Sequence, residues 1–134
     1  MTPELKLVRL KARRQFLYLA KQGQKVPRKT LVLQALPFNE AEQIKAKLLA
    51  RQPGAYSAAF VGFTASKKVG NAVARNRAKR RLAAAVRLLL PSLAQPGQAY
   101  VFIARGTSVD APYAQIEQDL VTAIQIAQKK MNHD

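Results

Sequence analysis

The chain has 134 residues, 49% of them hydrophobic, and carries a formal net charge of +16 from 23 Lys and Arg against 7 Asp and Glu. That length fits one domain with a real core, and the apolar content excludes a disordered basic tail. The absence of cysteine excludes a disulfide framework and a thiolate site.

In chain order, residues 4–11 are basic and irregular and predict an extended arm. A first helix is expected over 12–22, with Ala12, Phe16, Leu19 and Ala20 on one stripe and Gly23 as its stop. Arg28 to Leu36 reads as a strand, with Leu31, Leu33 and Ala35 on one face and Val32 and Gln34 on the other. Pro37 to Gly54 breaks the pattern. A short helix over 40–51 and a mobile insertion fit it equally well.

Tyr56 to Ala65 predicts a second strand, in which Gly62 marks a bulge or a close backbone approach. A helix follows over Ala72 to Leu90, capped by Asn71 and ended by Pro91. Gln98 to Arg105 is a third strand, and a last helix covers 111–130, with Asp110 as its cap and Pro112 in its first turn. Arg105-Gly106 reads as a turn.

Ser66 to Arg81 is the most informative stretch. It holds seven basic side chains and no acidic one, and no carboxylate occurs between Glu42 and Asp110. At 100° per residue, Ala74, Ala78, Leu82, Ala85, Val86 and Leu89 share a face. Asn76, Arg77, Lys79, Arg80, Arg81 and Arg87 spread over the other, and Arg75 falls near the apolar edge. A solvated helix face mixes signs for i, i+4 support, whereas this one has no counter-charges of its own. Lys67 and Lys68 precede a helix N-terminus, where free N–H groups attract anions. The partner this predicts is nucleic acid, held chiefly by phosphate.

Catalytic side chains are sparse. His133 is the only histidine, and the carboxylates are Glu4, Glu40, Glu42, Asp110, Glu117, Asp119 and Asp134, none near the basic stretch in sequence. A nuclease needs clustered carboxylates with metal, or a placed base. No apolar run approaches the roughly 20 residues that span a bilayer, and Met1-Thr2-Pro3-Glu4 lacks the character of a secretory signal. A cytoplasmic location, no membrane partner and no small-molecule substrate are therefore expected.

Lys67-Lys68-Val69-Gly70-Asn71-Ala72-Val73, followed by Arg75-Asn76-Arg77 and Lys79-Arg80, resembles the signature of the bacterial ribonuclease P protein component. Arg14-Gln15-Phe16, Lys21-Gln22-Gly23, Phe63-Thr64-Ala65-Ser66 and Phe102-Ile103-Ala104-Arg105 resemble its flanking motifs. The resemblance covers nearly the whole chain as a single RNA-binding domain over 1–134, apart from an insertion at about 38–57.

It implies an α/β two-layer sandwich like the second domain of ribosomal protein S5. The central sheet is mixed, and the signature helix forms a left-handed βαβ crossover. It also implies a protein with no catalytic residue, metal or cofactor of its own. The partners would be the catalytic RNA, which hydrolyses the 5′ leader of precursor tRNA with Mg²⁺, and the precursor itself. Lys67, Lys68, Asn71, Arg75, Asn76, Arg77, Lys79, Arg80 and Arg81 are the expected RNA-binding set. Arg13, Arg14, Phe16 and Gln34 would line the leader cleft, although the spacing of Phe16 alone favours core. The sequence departs from the family at Ala20 and Gln34, where aromatics are frequent, and at Phe60, where a basic residue is common. The rival classes are a structural ribosomal RNA-binding protein, a duplex-DNA module and a self-sufficient nuclease.

Overall fold

A sheet of five strands organises the chain in a computed structural model that describes residues 6–36, 58–95 and 97–132. The strands are β1 (Lys6–Arg9), β2 (Gln24–Pro27), β3 (Leu31–Leu36), β4 (Ala58–Thr64) and β5 (Ala99–Ala104), in the spatial order β1-β4-β5-β3-β2. β1 and β5 both pair parallel to β4, and β3 pairs antiparallel to both β5 and β2. Three α-helices complete the described residues: α1 (Arg13–Gln22), α2 (Ala72–Leu93) and α3 (Tyr113–Asn132). Because β4 and β5 are parallel neighbours, α2 is the crossover between them. The mixed α/β architecture expected from the sequence is the one found.

Strand alternation sends side chains to two faces. On one face Leu31, Leu33, Val61, Tyr100 and Phe102 meet Leu82, Val86 and Leu90 of α2 and Ile116, Leu120 and Ile124 of α3, all essentially buried. Full burial of each such side chain contributes about 1.5–3 kcal/mol, so this is the principal core. Phe60, Ala99, Val101 and Leu36 point to the opposite face and form a smaller cluster with Leu10 and Leu19 under α1. Phe60, at a position where the resemblance leads one to expect a cation, is fully buried there.

Five expectations are corrected. The arm at 4–11 contains β1, whose Lys6 to Arg9 pair with Ala58 to Val61; four residues with one non-local partner leave no periodic signal. The strand expected from Arg28 begins at Leu31, because Arg28 to Thr30 form the turn of a hairpin. Its other arm, β2, went unseen because Val26 is its one buried residue. Pro91 does not end α2. It removes a single N–H in the last turn, and the helix runs on to Leu93, closed by the Ala94 N–H on the Leu90 carbonyl at 2.8 Å. The last helix starts at Tyr113, so Asp110 is not its cap and Pro112 precedes its first residue. The expected insertion at 38–57, with its helix at 40–51, lies outside the described residues.

Candidate nucleic-acid interface

The basic stretch begins at the C-terminal end of β4. Ser66 Oγ accepts the Lys68 N–H at 3.3 Å and starts a 3-10 turn over Lys67–Val69. Gly70 then adopts φ +145°, a conformation an L side chain rarely takes, and redirects the chain into α2. Asn71 caps that helix as expected, its Oδ1 accepting the Ala74 N–H at 2.9 Å. Ala78, Leu82, Ala85, Val86 and Leu90 are buried against the sheet. The polar face is therefore held at a fixed roll about the helix axis.

The expected RNA-binding residues separate into three groups. Lys67, Lys68, Asn71, Asn76 and Arg80 are exposed, and Arg75 and Lys79 are half-buried at the helix flank. Arg77 is exposed, but its Nε donates to the Val109 carbonyl at 3.0 Å and lies 3.9 Å from Asp110 Oδ1. That ion pair joins two solvated groups and contributes little. Arg81 is turned inward from the expected face: its guanidinium donates to the carbonyls of Ser108, Val109 and Ala111. Tyr113 stands beside it. Its phenol is raised above the ordinary value by burial first and by Glu117 second, with Arg81 opposing.

On the other face of the sheet, α1 leans across Phe60, Ala99 and Leu36. Its start is held from inside by Gln15, whose Oε1 accepts the Lys11 and Ala12 N–H groups at 3.2 and 3.0 Å. The Phe16 ring rests directly over Gly62, where a Cβ would stand 2.4 Å from Cε1. Phe16 is half-buried: it packs on the small cluster, as its spacing leads one to expect, and the rest of it stays open to solvent. Gln34 projects to the same face across Val101 and is 8% exposed. Arg13 and Arg14 are exposed in the first turn of α1.

The adjoining row of the sheet, Thr64, Ile103 and Val32 in register, is only half-buried. It forms an open trough beside Phe16. At the end of that row the register gathers cations that are distant in sequence. Leu31 pairs with Ala104, so the turn holding Arg28 and Lys29 lies beside Arg105, and Thr64 leads into Lys67 and Lys68. Arg105 Nη1 donates to the Arg28 carbonyl at 3.1 Å, and Thr107 Oγ1 donates to the Lys29 carbonyl at 2.6 Å. The sequence offers Arg105-Gly106 as a turn or a phosphate contact and reads best as a turn, and the chain does turn there, into the 3-10 turn Gly106–Ser108; Lys29 carries no signal of its own. No local signal reports strand register.

Among the described residues, no group of three or more His, Asp and Glu is placed to hold a metal ion. Nor is any described helix long and apolar enough to cross a membrane. The arrangement presents a cationic ridge and, across the sheet, a shallow trough with one aromatic edge.

Comparison with known proteins bears on this geometry. The family model described as Ribonuclease P matches residues 5–128. The ribonuclease P protein component of Paramagnetospirillum magneticum is 41% identical over 119 residues, spanning 89% of this chain and 81% of that protein. That of Gluconacetobacter diazotrophicus is 38% identical over 112 residues, covering 84% of each. Among solved structures, the Staphylococcus aureus RNase P protein superposes with a TM-score of 0.64 at 24% identity, over 90% of this chain and 94% of that one. The Thermotoga maritima RNase P protein gives 0.65 at 20% identity, over 88% and 96%. At those identities the structural likeness speaks for the fold.

Proposed function

Because the chain belongs to the ribonuclease P protein family, we propose that it is the subunit that docks on a catalytic RNA and positions precursor tRNA for removal of the 5′ leader. One observation carries this reading: the ridge from Lys67 to Arg80 is rigidly backed by core, and no carboxylate occurs between Glu42 and Asp110. Cations so arranged repel one another, and a polyanion relieves that repulsion.

Each phosphate neutralised releases condensed counterions, so affinity falls with salt at a log–log slope of about −0.7 to −0.9 per contact. Exposed Lys67, Lys68 and Arg80, with Arg75, Arg77 and Lys79, supply those contacts to the RNA subunit, and the neutral Asn76 amide adds hydrogen bonding beside them. The leader, a single strand, lies in the trough of Thr64, Ile103 and Val32. Phe16 offers an edge for a base there, and Arg13 and Arg14 meet its phosphates. The hydrolysis, with its Mg²⁺, belongs to the RNA subunit. This chain's role is to offset repulsion between two RNAs and so to lower the Mg²⁺ that cleavage requires.

The test is leader removal from precursor tRNA by the RNA subunit at low Mg²⁺, with and without the protein. Faster cleavage and tighter precursor binding are expected. Unchanged rate and affinity, or cleavage by the protein without RNA, would falsify the proposal.

A further inference from the structure

The amino-acid pattern does not separate Arg81 from Arg77, Lys79 and Arg80, which share the polar face of the helix. Their hydrogen bonds do. Arg81 Nη1 donates to the carbonyls of Ser108 and Val109, both at 2.9 Å, and Nη2 donates to Ala111 at 2.5 Å. Arg77, one helical turn earlier, donates from Nε to the same Val109 carbonyl at 3.0 Å. These carbonyls run from Ser108, the last residue of the 3-10 turn Gly106–Ser108, into the segment that leads to α3. A planar guanidinium presents five N–H donors in a rigid fork from two terminal nitrogens and Nε, whereas the three donors of an ammonium group radiate from a single atom.

We infer that Arg81 is a positioning residue of the RNA interface and not a phosphate ligand. Its guanidinium closes a collar of carbonyls that ties α2 to the start of α3, and through the shared Val109 carbonyl it aims Arg77. The inference rests on the RNA-binding reading of the preceding subsection. Turning Arg81 toward a phosphate would leave the Ser108 and Ala111 carbonyls without a charged donor and Val109 with Arg77 alone, and one phosphate contact replaces at most two of the three bonds lost. Arg77 differs: it gives one N–H to the collar and stays exposed. The cationic ridge is thus narrower than its sequence, with Arg81 as its brace.

The experiment is a salt titration of the full chain against an in vitro transcript of a ribonuclease P RNA, over about 50–200 mM salt. Arg80→Gln should make the log–log slope shallower by about 0.7–0.9, the equivalent of one phosphate. By itself Arg81→Gln should lower the melting temperature, and beside Arg77→Gln, where no aiming of Arg77 is left to lose, it should leave the slope unchanged. A slope change in that background like that of Arg80→Gln overturns the inference.

Arg81→Lys guards against a variant that fails to fold, since it keeps the charge and loses the planar fork. It should keep the slope yet weaken binding a few-fold, and that loss should disappear in an Arg77→Gln background. Undiminished binding by Arg81→Lys, or a loss that persists in full beside Arg77→Gln, sinks the claim that Arg81 aims Arg77. If the natural chain does not bind the transcript, the functional reading fails instead. The collar is then judged on melting alone, and an unchanged melting temperature in both Arg81 variants overturns it.

Discussion

The Phe16 ring occupies the space that a side chain at residue 62 would need, for a Cβ on Gly62 would lie 2.4 Å from its Cε1 and 2.7 Å from its Cζ. The glycine in β4 is therefore a seat for the aromatic of α1. Gly62→Ala should cost about 1–3 kcal/mol by overpacking, read as a lower denaturation midpoint. Adding Phe16→Ala removes the clash, so the double variant should lose less than the two single losses summed.

Phe16→Ala alone tests the trough. If a leader base stacks there, affinity should fall by about 1–3 kcal/mol for precursor tRNA, and by much less for tRNA without a leader. Equal losses for both substrates would assign Phe16 to packing only.

Arg75 and Arg77 lie on the ridge and not in the core. Reversing both to Glu should leave the helical circular dichroism intact and make the salt slope of RNA binding shallower by at least about 1.4, two phosphates' worth. Collapse of the fold, or an unchanged slope, would remove them from the interface.

Asp119 is a carboxylate used for structure. It is 3% exposed, its Oδ2 accepts the Thr30 N–H at 3.0 Å and hydroxyl at 2.7 Å, and its Oδ1 accepts Gln115 Nε2 at 3.0 Å. Ser108 Oγ donates to the Thr30 carbonyl at 2.5 Å, so the tip of the β2–β3 hairpin is fastened from two sides. Asp119→Ala should cost at least about 1.5 kcal/mol, the lower range for a hydrogen bond to a charged group. Urea denaturation would measure it, and a neutral result would show that the hairpin tip does not depend on this anchor.

Tyr100 gives the stability a pH dependence at the alkaline end. Burial raises its phenol pKa, while hydrogen bonds from the Gln95 N–H and from Gln128 oppose the rise. The unfolded chain loses this proton near pH 10, before the folded chain does. The contribution is therefore complete below about pH 10 and is lost as pH rises through the folded value. The urea midpoint should decline above that pH, and the decline should be shallower in Tyr100→Phe.

The amino-acid sequence determined what depends on neighbours a few residues apart. The period of Ala78, Leu82, Ala85 and Val86 specifies α2 and its buried face, because that spacing closes one stripe on a helix. The Asn71 cap is equally local, being bonded to a residue three positions on. The excess of cations, and hence a polyanionic partner, needs no coordinates at all.

Only the tertiary structure decided what depends on register. β1 and β2 are strands because β4 and β3 pair with them, and their own four residues carry no such instruction. The same pairing brings the turn with Lys29 beside Arg105 and the lysines after Thr64. Phe16 meets Gly62, and Arg81 finds three carbonyls more than 25 positions away, through packing that joins separate segments. A side chain's charge is a property of its residue, but the group that satisfies it is set by which backbone the fold carries alongside.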